Sequence, residues 1–212
     1  LAVVDDTIAV LRALWRGEPV DWQGKQLRLE GAQLSHGLQS IPIWVAARGE
    51  QILELAGQQA DGLVLMAKAD LADAIEVAGR SGRELTHIYL DRLAFTPEMI
   101  EEARGLYGYA ILDSPPRMLH NLGIDESAIE QMRVAFGRGG AAAIAPLVTD
   151  EMVAAYQIAG SPEQCRSQLE QLIGQHGIDG FFINIIASGL EANRRLLGDV
   201  AEIVRGSGAS RS

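Results

Sequence analysis

Four short apolar runs, each separated from the next by segments with helical periodicity, constrain the fold of this chain more than any other feature. They lie at Ile41–Ala47, Asp61–Met66, Thr86–Phe95 and Gly180–Ile186. Their apolar residues are nearly continuous rather than alternating, which is typical of strands in a parallel sheet buried on both faces. Strands that alternate with helices in this way predict βαβ units, and therefore an α/β fold.

Two architectures accommodate four parallel strands of this kind. Four βα units are half of a (β/α)8 barrel, and a half barrel alone would leave one sheet face and two edges uncovered. An open, flavodoxin-like sheet is the alternative, but it requires helices on both faces and usually about five strands. From the pattern alone we therefore expect residues 1–205 to form an α/β domain, with half of such a barrel favoured over the open sheet.

Apolar side chains at spacings of three and four predict the helices around these strands. The predicted helices are Asp5–Arg16, Glu50–Gln59, Leu71–Gly79, Pro97–Leu112, Pro162–Ile173 and Glu191–Val204. Residues 17–40 predict an inserted surface hairpin. Residues 113–160 predict an insertion of mostly short helices, with Asp125 as an N-cap and a turn at the glycine cluster 137–140.

Composition excludes several classes of partner. The formal net charge is −10 and no dense basic stripe is visible, so nucleic acid and anionic membranes are not expected partners. No apolar run approaches the length of a membrane span. Cys165 is the only cysteine, which precludes an internal disulfide, favours a cytoplasmic location and is interpreted as a packed thiol. The four histidines lie far apart without metal-ligand spacing, so no metal site is predicted.

The segment after the first apolar run is the best candidate for ligand binding. Ala46, Ala47 and Gly49 are small, so a ligand can approach their backbone, and Arg48 adds a guanidinium. The N–H groups that open the helix at Glu50 form an anion site. A bound phosphate is one interpretation, and a tight turn with a solvated Arg48 is the other.

The same segment carries a resemblance to a known family. The chain resembles the luciferase-like flavin and F420 enzymes, and within them the methylenetetrahydromethanopterin reductase type. The matching stretches are 41–50 (IPIWVAARGE), 53–57 (LELAG), 60–65 (ADGLVL), 11–20 (LRALWRGEPV), 122–125 (LGID), 147–153 (LVTDEMV) and 158–164 (IAGSPEQ). Each is weak alone, but their order and spacing extend over nearly the whole chain.

The resemblance implies that residues 1–205 are the C-terminal half of a single TIM barrel, carrying its strands five to eight. It also implies that the enzyme binds coenzyme F420, with FMN as the alternative cofactor. It implies that the phosphate-bearing tail of the cofactor lies against Ala46, Ala47, Arg48 and Gly49. Where Glu50 stands the family often has Pro, so either this carboxylate points away from the phosphate or tail binding is altered.

Two further strand ends are candidates for the rim of the pocket. Met66 and Lys68 follow the second apolar run, where related enzymes contact substrate or the cofactor tail, although a lone loop lysine is usually only solvated. After the fourth run, Asn184 reaches towards the barrel mouth or satisfies a neighbouring backbone group, and Ser188 and Gly189 are weaker candidates.

The function implied by the resemblance is hydride transfer between reduced F420 and an organic substrate. An FMN-dependent monooxygenase and a non-catalytic flavin-binding or assembly module are the alternatives. In the family the cofactor ring is held mainly by the first four strands, so no catalytic residue is named and the 212 residues alone are expected to be inactive.

The ends of the chain lead to two further expectations. The sequence begins at Leu1 and enters a helical pattern at once, which we interpret as a truncated chain. We expect self-association or completion by a missing N-terminal half, because open barrel edges need cover. Residues 206–212 are polar and are expected to form a disordered tail.

Overall fold

The computed structural model describes residues 1–36 and 38–206. The helices are α1 Ala2–Leu14, α2 Glu50–Gln59, α3 Leu71–Gly79, α4 Pro97–Leu112, α5 Pro116–Asn121, α6 Glu126–Ile144, α7 Asp150–Tyr156, α8 Pro162–His176 and α9 Leu190–Arg205. The strands are β1 Val20–Gln23, β2 Arg28–Ala32, β3 Trp44–Ala46, β4 Gly62–Leu65, β5 Thr86–Asp91 and β6 Gly180–Ile183. Gly206 lies in a turn, and the rest of the predicted tail lies outside the described residues.

The chain divides into two compact units, each described by itself. The first contains Leu1–Val64 and Ala74–Thr86, and the second contains the described residues of Leu65–Asp73 and His87–Ser212.

In the first unit, β3 and β4 pair in parallel, with Trp44 opposite Gly62 and Ala46 opposite Val64. The predicted surface hairpin is confirmed, because β1 and β2 pair antiparallel. Its turn is fixed to α1 by the buried carboxylate of Asp6, which accepts the backbone N–H of Gln26 at 2.6 Å.

In the second unit, β5 and β6 pair in parallel from Ile88 opposite Gly180 to Asp91 opposite Ile183. One hydrophobic cluster of this unit lies mainly among the helices that follow β5. It consists of Ala67, Ala103, Ile111, Met118, Ile124, Ile129, Met132, Ile144, Val148, Val153 and Tyr156. Burying each large aliphatic side chain stabilises the folded state by about 1.5–3 kcal/mol, so this cluster contributes strongly to the stability of the unit.

The strands are shorter than the apolar runs that predicted them. β3 begins only at Trp44, because Ile43 donates its N–H to the Asp61 carboxylate at 2.8 Å rather than to a neighbouring strand. β5 ends at Asp91, whose carboxylate accepts the following N–H of Arg92 at 2.7 Å. β6 ends at Ile183, the residue paired with that last β5 position.

The prediction of a turn at 137–140 is confirmed at its last two residues. Gly139 and Gly140 have non-helical backbone angles within α6, and Gly140 has φ of 63°, a conformation that only glycine adopts readily. These two residues form a kink between two helical segments of Glu126–Ile144. The predicted N-cap is confirmed, since Asp125 accepts the Ala128 N–H. Ser161 likewise caps α8 and forms a full capping box with Gln164.

Candidate functional site

The carboxyl end of β3 presents the predicted phosphate-binding backbone at the surface. Ala46 and Gly49 are exposed, Ala47 is buried and Arg48 is half-buried. Gly49 is the N-cap of α2, in extended conformation and without a side-chain cap. A Cβ at Gly49 would meet nothing closer than Ile52 Cγ2 at 4.0 Å, so the space above this backbone is open. The small residues thus leave room for a ligand at the positive end of a ten-residue helix.

Glu50 does not place an unpaired carboxylate at this helix end. Its Oε1 forms an ion pair with Arg80 Nη1 at 3.0 Å, and the same guanidinium contacts Glu54 Oε1 at 3.1 Å. The hydrogen bond to Glu50 is the main cause of a raised pKa of Arg80. The carboxylate is therefore engaged along the flank of α2, which is the arrangement that keeps the residue compatible with a bound phosphate.

The approach of α2 to α3 explains how Arg80 comes within reach. A Cβ at Gly57 would lie 2.1 Å from the backbone oxygen of Ala78, so the two helix backbones are in direct contact there. Ser81 continues the contact by donating its hydroxyl to Gly57 O at 2.8 Å. Gly57 thus permits the close packing of α2 on α3 that brings Arg80 within reach of Glu50.

The carboxyl end of β4 holds Lys68 in a defined position. Met66 and Lys68 are half-buried, and Lys68 opens a short 3-10 helix, Lys68–Asp70. Its Nζ donates to Gln168 Oε1 at 2.6 Å, and Gln168 Nε2 in turn donates to the Ala159 carbonyl at 2.7 Å. The expectation that a loop lysine is only solvated is wrong here, because α8 supplies a fixed acceptor for the ammonium.

Asp91, at the carboxyl end of β5, is the group that sequence reasoning missed. Its side chain is buried and accepts three hydrogen bonds, from Ile158 N at 2.7 Å, Tyr107 Oη at 2.8 Å and Arg92 N at 2.7 Å. Burial nevertheless raises the pKa of Asp91 to about 6, since the three hydrogen bonds and the charge of Lys68 offset it only in part. A carboxyl that titrates in this range is a candidate functional group.

The tyrosine and cysteine side chains around Asp91 remain neutral near pH 7. Burial, reinforced by the charge of Asp91, raises the pKa of both Tyr89 and Tyr107 above their ordinary value. Cys165 is fully buried, which confirms the prediction of a packed thiol, and burial raises the pKa of this thiol to about 11. Lys68 has a pKa lowered by burial, and Asp91 opposes that effect. Lys68 and Asp91 are thus the two groups of this cluster whose charged forms burial opposes.

A sequence signal for Asp91 does exist. An aspartate followed by an arginine interrupts the apolar run at the point where β5 ends, and in parallel βα folds that end faces the active site. From the sequence alone this pair is only an imperfection of the strand. The partners of Asp91 come from α4 and from residue 158, which no local pattern connects to β5.

The end of β6 contributes less than expected. Asn184 is exposed and only its backbone N–H extends the strand pairing, to Asp91 O at 2.8 Å. Ser188 lines an open groove of about 740 Å³ together with Arg92, Met99 and Arg195. Gly189, with φ of 84°, is the N-cap of α9. These residues border a cavity, but no buried polar side chain among them marks a ligand position.

Two classes of site find no support within residues 1–36 and 38–206. No group of three or more His, Cys, Asp and Glu side chains is arranged to hold a metal ion. No helix in these ranges is both long and apolar enough to cross a membrane.

Comparison with known proteins gives consistent matches. The sequence model for the luciferase-like monooxygenases matches residues 1–205. A 5,10-methylenetetrahydromethanopterin reductase of Methanolobus tindarius is 27% identical over 191 residues, which is 82% of this chain and 57% of the relative. The chain thus spans little more than half the length of this curated relative.

Solved structures agree on the fold. The coenzyme F420-dependent tetrahydromethanopterin reductase of Methanopyrus kandleri superposes with a TM-score of 0.78 at 23% identity, covering 93% of this chain and 61% of that one. An F420-dependent secondary alcohol dehydrogenase, in complex with an F420–acetone adduct, superposes with a TM-score of 0.62 at 18% identity, covering 93% and 60%. The predicted α/β fold of the luciferase-like barrel type is confirmed.

Proposed function

The chain belongs to the luciferase-like monooxygenase family, and on that premise we propose that it is part of an F420-dependent oxidoreductase. The proposed reaction is hydride transfer between the deazaflavin and an organic small molecule. Similarity to F420-dependent reductases over most of the chain supports this cofactor. In such enzymes the cofactor carries the chemistry, and the protein contributes binding, orientation and electrostatics.

The observation that carries the proposal is the open helix end after β3. Gly49 starts α2 with free space above its backbone, Arg48 lies beside it, and Glu50 is paired with Arg80. First-turn N–H groups and a guanidinium suit a phosphate ester. We therefore assign Ala46, Ala47, Arg48 and Gly49 to the acidic tail of the cofactor. The bound deazaflavin would supply or accept the hydride, which these residues do not touch.

Lys68 and Met66, at the carboxyl end of β4, are assigned to a second region of contact with substrate or cofactor. A half-buried ammonium held by Gln168 retains two further N–H donors for an anionic group. Met66 supplies a flexible apolar surface near it in the chain.

Cofactor choice is tested by calorimetry on the purified full-length protein, with F420 and FMN titrated under identical conditions. F420 is expected to bind more tightly. Tight FMN binding with weak F420 binding would instead place the protein with the flavin-dependent monooxygenases, and absence of binding for both would refute the proposal.

The position of the tail is tested by Gly49→Leu, with Gly174→Leu as the matched control. Both glycines are exposed and have open space where a Cβ would stand, so neither change disturbs packing. We expect Gly49→Leu to weaken F420 binding by about tenfold or more, which corresponds to about 1.4 kcal/mol, whereas the control binds normally. Equal affinity in both variants would exclude the β3 end as the tail site.

Self-association, or completion by further strands of the same fold, is also proposed. The β6 region exposes apolar side chains, including 44% of Phe182 and 62% of Ile186. Exposed apolar surface of this kind favours coverage by protein. Light scattering of the purified chain tests this, since a well-folded monomer at micromolar concentration would contradict it.

A further inference from the structure

α6 has one open face that is lined by a groove. The groove has a volume of about 740 Å³, and its lining recurs at spacings of three and four residues along the helix, at Glu126, Ser127, Glu130, Gln131, Val134 and Arg138. Val134 is 43% exposed, and Leu147 borders the groove with 37% of its surface exposed. The opposite face of α6 packs through Ile129 and Met132 into the hydrophobic cluster of its unit. The groove face is therefore the side of α6 that a partner can reach.

The charged side chains of α6 are ordered along the helix. Glu126 and Glu130 stand in its first turns, and Arg133 and Arg138 stand towards the kink. These four charges cancel, whereas the whole chain carries a net charge of −10. Two strongly acidic molecules repel each other, so they approach most easily through a surface that is locally neutral. α6 offers such a surface to a second copy of the chain.

The order of these charges selects one geometry for the second copy. Glu126 and Arg138 lie about 18 Å apart along the helix, so they cannot pair within one molecule. Helices packed in parallel would bring like charges together at both ends. Helices packed antiparallel about a two-fold axis bring Glu126 opposite Arg138 of the second copy, and the symmetry makes this contact twice. In that register Val134 lies near the centre of the contact, and the two Gln131 side chains lie beside the axis.

We propose that α6 is a docking surface for a second copy of this chain, which packs its own α6 antiparallel against Val134 and forms two Glu126–Arg138 ion pairs. The inference rests on the self-association proposed above and adds a surface made of other residues than the β6 region. It does not depend on the cofactor. Stable interfaces bury about 1,200–2,000 Å² in total, and a contact between two helices buries less. The contact is therefore expected to be weak and to depend on protein concentration.

The test is disulfide cross-linking of the purified full-length protein over a series of concentrations. Gln131→Cys places a thiol beside the proposed two-fold axis, where the same thiol of the second copy comes within bonding reach. Gln171→Cys, at an exposed position of α8, is the matched control. The unsubstituted protein measures any reaction of native thiols, such as the buried Cys165. We expect covalent dimers from Gln131→Cys, in a fraction that rises with concentration, and few from the control.

Charge reversal in the Gln131→Cys protein identifies the pairing. Glu126→Arg makes the face basic and Arg138→Glu makes it acidic, so each should lower the cross-linked fraction by about tenfold. Mixing these two variants should restore cross-linking, because a basic face then meets an acidic one. Arg194→Glu, which makes the same charge change as Arg138→Glu at an exposed position of α9, should leave the cross-linked fraction unchanged. Circular dichroism checks that every variant is folded.

The outcomes separate this proposal from those above. Cross-linking that is undetectable, equal at Gln131→Cys and Gln171→Cys, or insensitive to both charge reversals would overturn the docking surface on α6. An oligomer in light scattering without this cross-link would remove only the α6 surface, whereas a monomer without it would remove the proposed self-association as well. Since α6 is assigned no cofactor contact, loss of F420 binding in the separate calorimetry would refute the proposed function without affecting this result.

Discussion

The buried carboxyl of Asp91 should make the stability of the protein depend on pH in an unusual direction. Most carboxylates in folded proteins have a lowered pKa and stabilise the fold as the pH rises, but burial raises the pKa of Asp91 from 3.8 to about 6. The folded state then binds this proton more tightly than the unfolded state does. The contribution of Asp91 is therefore most favourable below pH 3.8 and is lost as the pH rises through 6.

The size of this loss follows from the shift itself. A difference of about two pKa units corresponds to about 3 kcal/mol between fully protonated and fully ionised Asp91. Between pH 4.5 and pH 7.5 the contribution of Asp91 to the free energy of unfolding falls by about 2 kcal/mol. Other carboxyls titrate over the same interval, so the quantity to measure is the difference between the wild type and Asp91→Asn.

Asparagine is a suitable comparison because its penalty does not depend on pH. Its amide oxygen can replace one carboxylate oxygen, but its NH₂ group then faces a donor, either Ile158 N–H or the pair Tyr107 and Arg92. This mismatch costs about 1–3 kcal/mol at every pH. The mismatch lowers the free energy of unfolding of the variant by the same amount at every pH. Any pH-dependent difference between the variant and the wild type therefore comes from the titration of Asp91.

The assay is urea unfolding of both proteins at pH 4.5 and 7.5, followed by circular dichroism. The free energy of unfolding of the wild type relative to Asp91→Asn should be about 2 kcal/mol greater at pH 4.5 than at pH 7.5. A relative stability that is independent of pH, or that rises with pH, would show that the hydrogen bonds outweigh burial and that Asp91 is ionised throughout.

Three further changes test the packing. Gly57→Ala, which places a methyl 2.1 Å from Ala78 O, should cost about 1–3 kcal/mol in urea unfolding, whereas Gly79→Ala, with no atom within 4 Å, should be neutral or stabilising. Cys165, with its pKa raised to about 11, should react with iodoacetamide at pH 8 about a hundredfold more slowly than a free thiol, and urea should abolish the difference. Ser161→Ala should lower the free energy of unfolding by about 1 kcal/mol through loss of the capping box, and an unchanged thermal midpoint would contradict this.

The bounds of several helices are predictable because the sequence signals for helix starts and ends agree with the fold. α2, α3 and α4 begin and end at the predicted residues, since glycine, proline and apolar spacing mark them in the sequence. Strand ends are less predictable. They depend on side chains such as Asp61 and Asp91, which capture backbone N–H groups and stop the pairing.

The two candidate binding regions differ in the same way. The β3 end is accessible to sequence reasoning because Ala46–Gly49 and the start of α2 are contiguous, so a short motif contains the whole proposed anion site. The surroundings of Lys68 and Asp91 are not, because the partners of each residue lie far away in the chain. Gln168 binds the lysine from 100 residues away, and Ile158 binds the aspartate from 67 residues away. Burial of a carboxyl cannot be read from its own neighbours in the chain. Only the three-dimensional arrangement shows that the aspartate which interrupts the strand pattern is buried and accepts three hydrogen bonds, and that a glutamine of α8 holds the loop lysine.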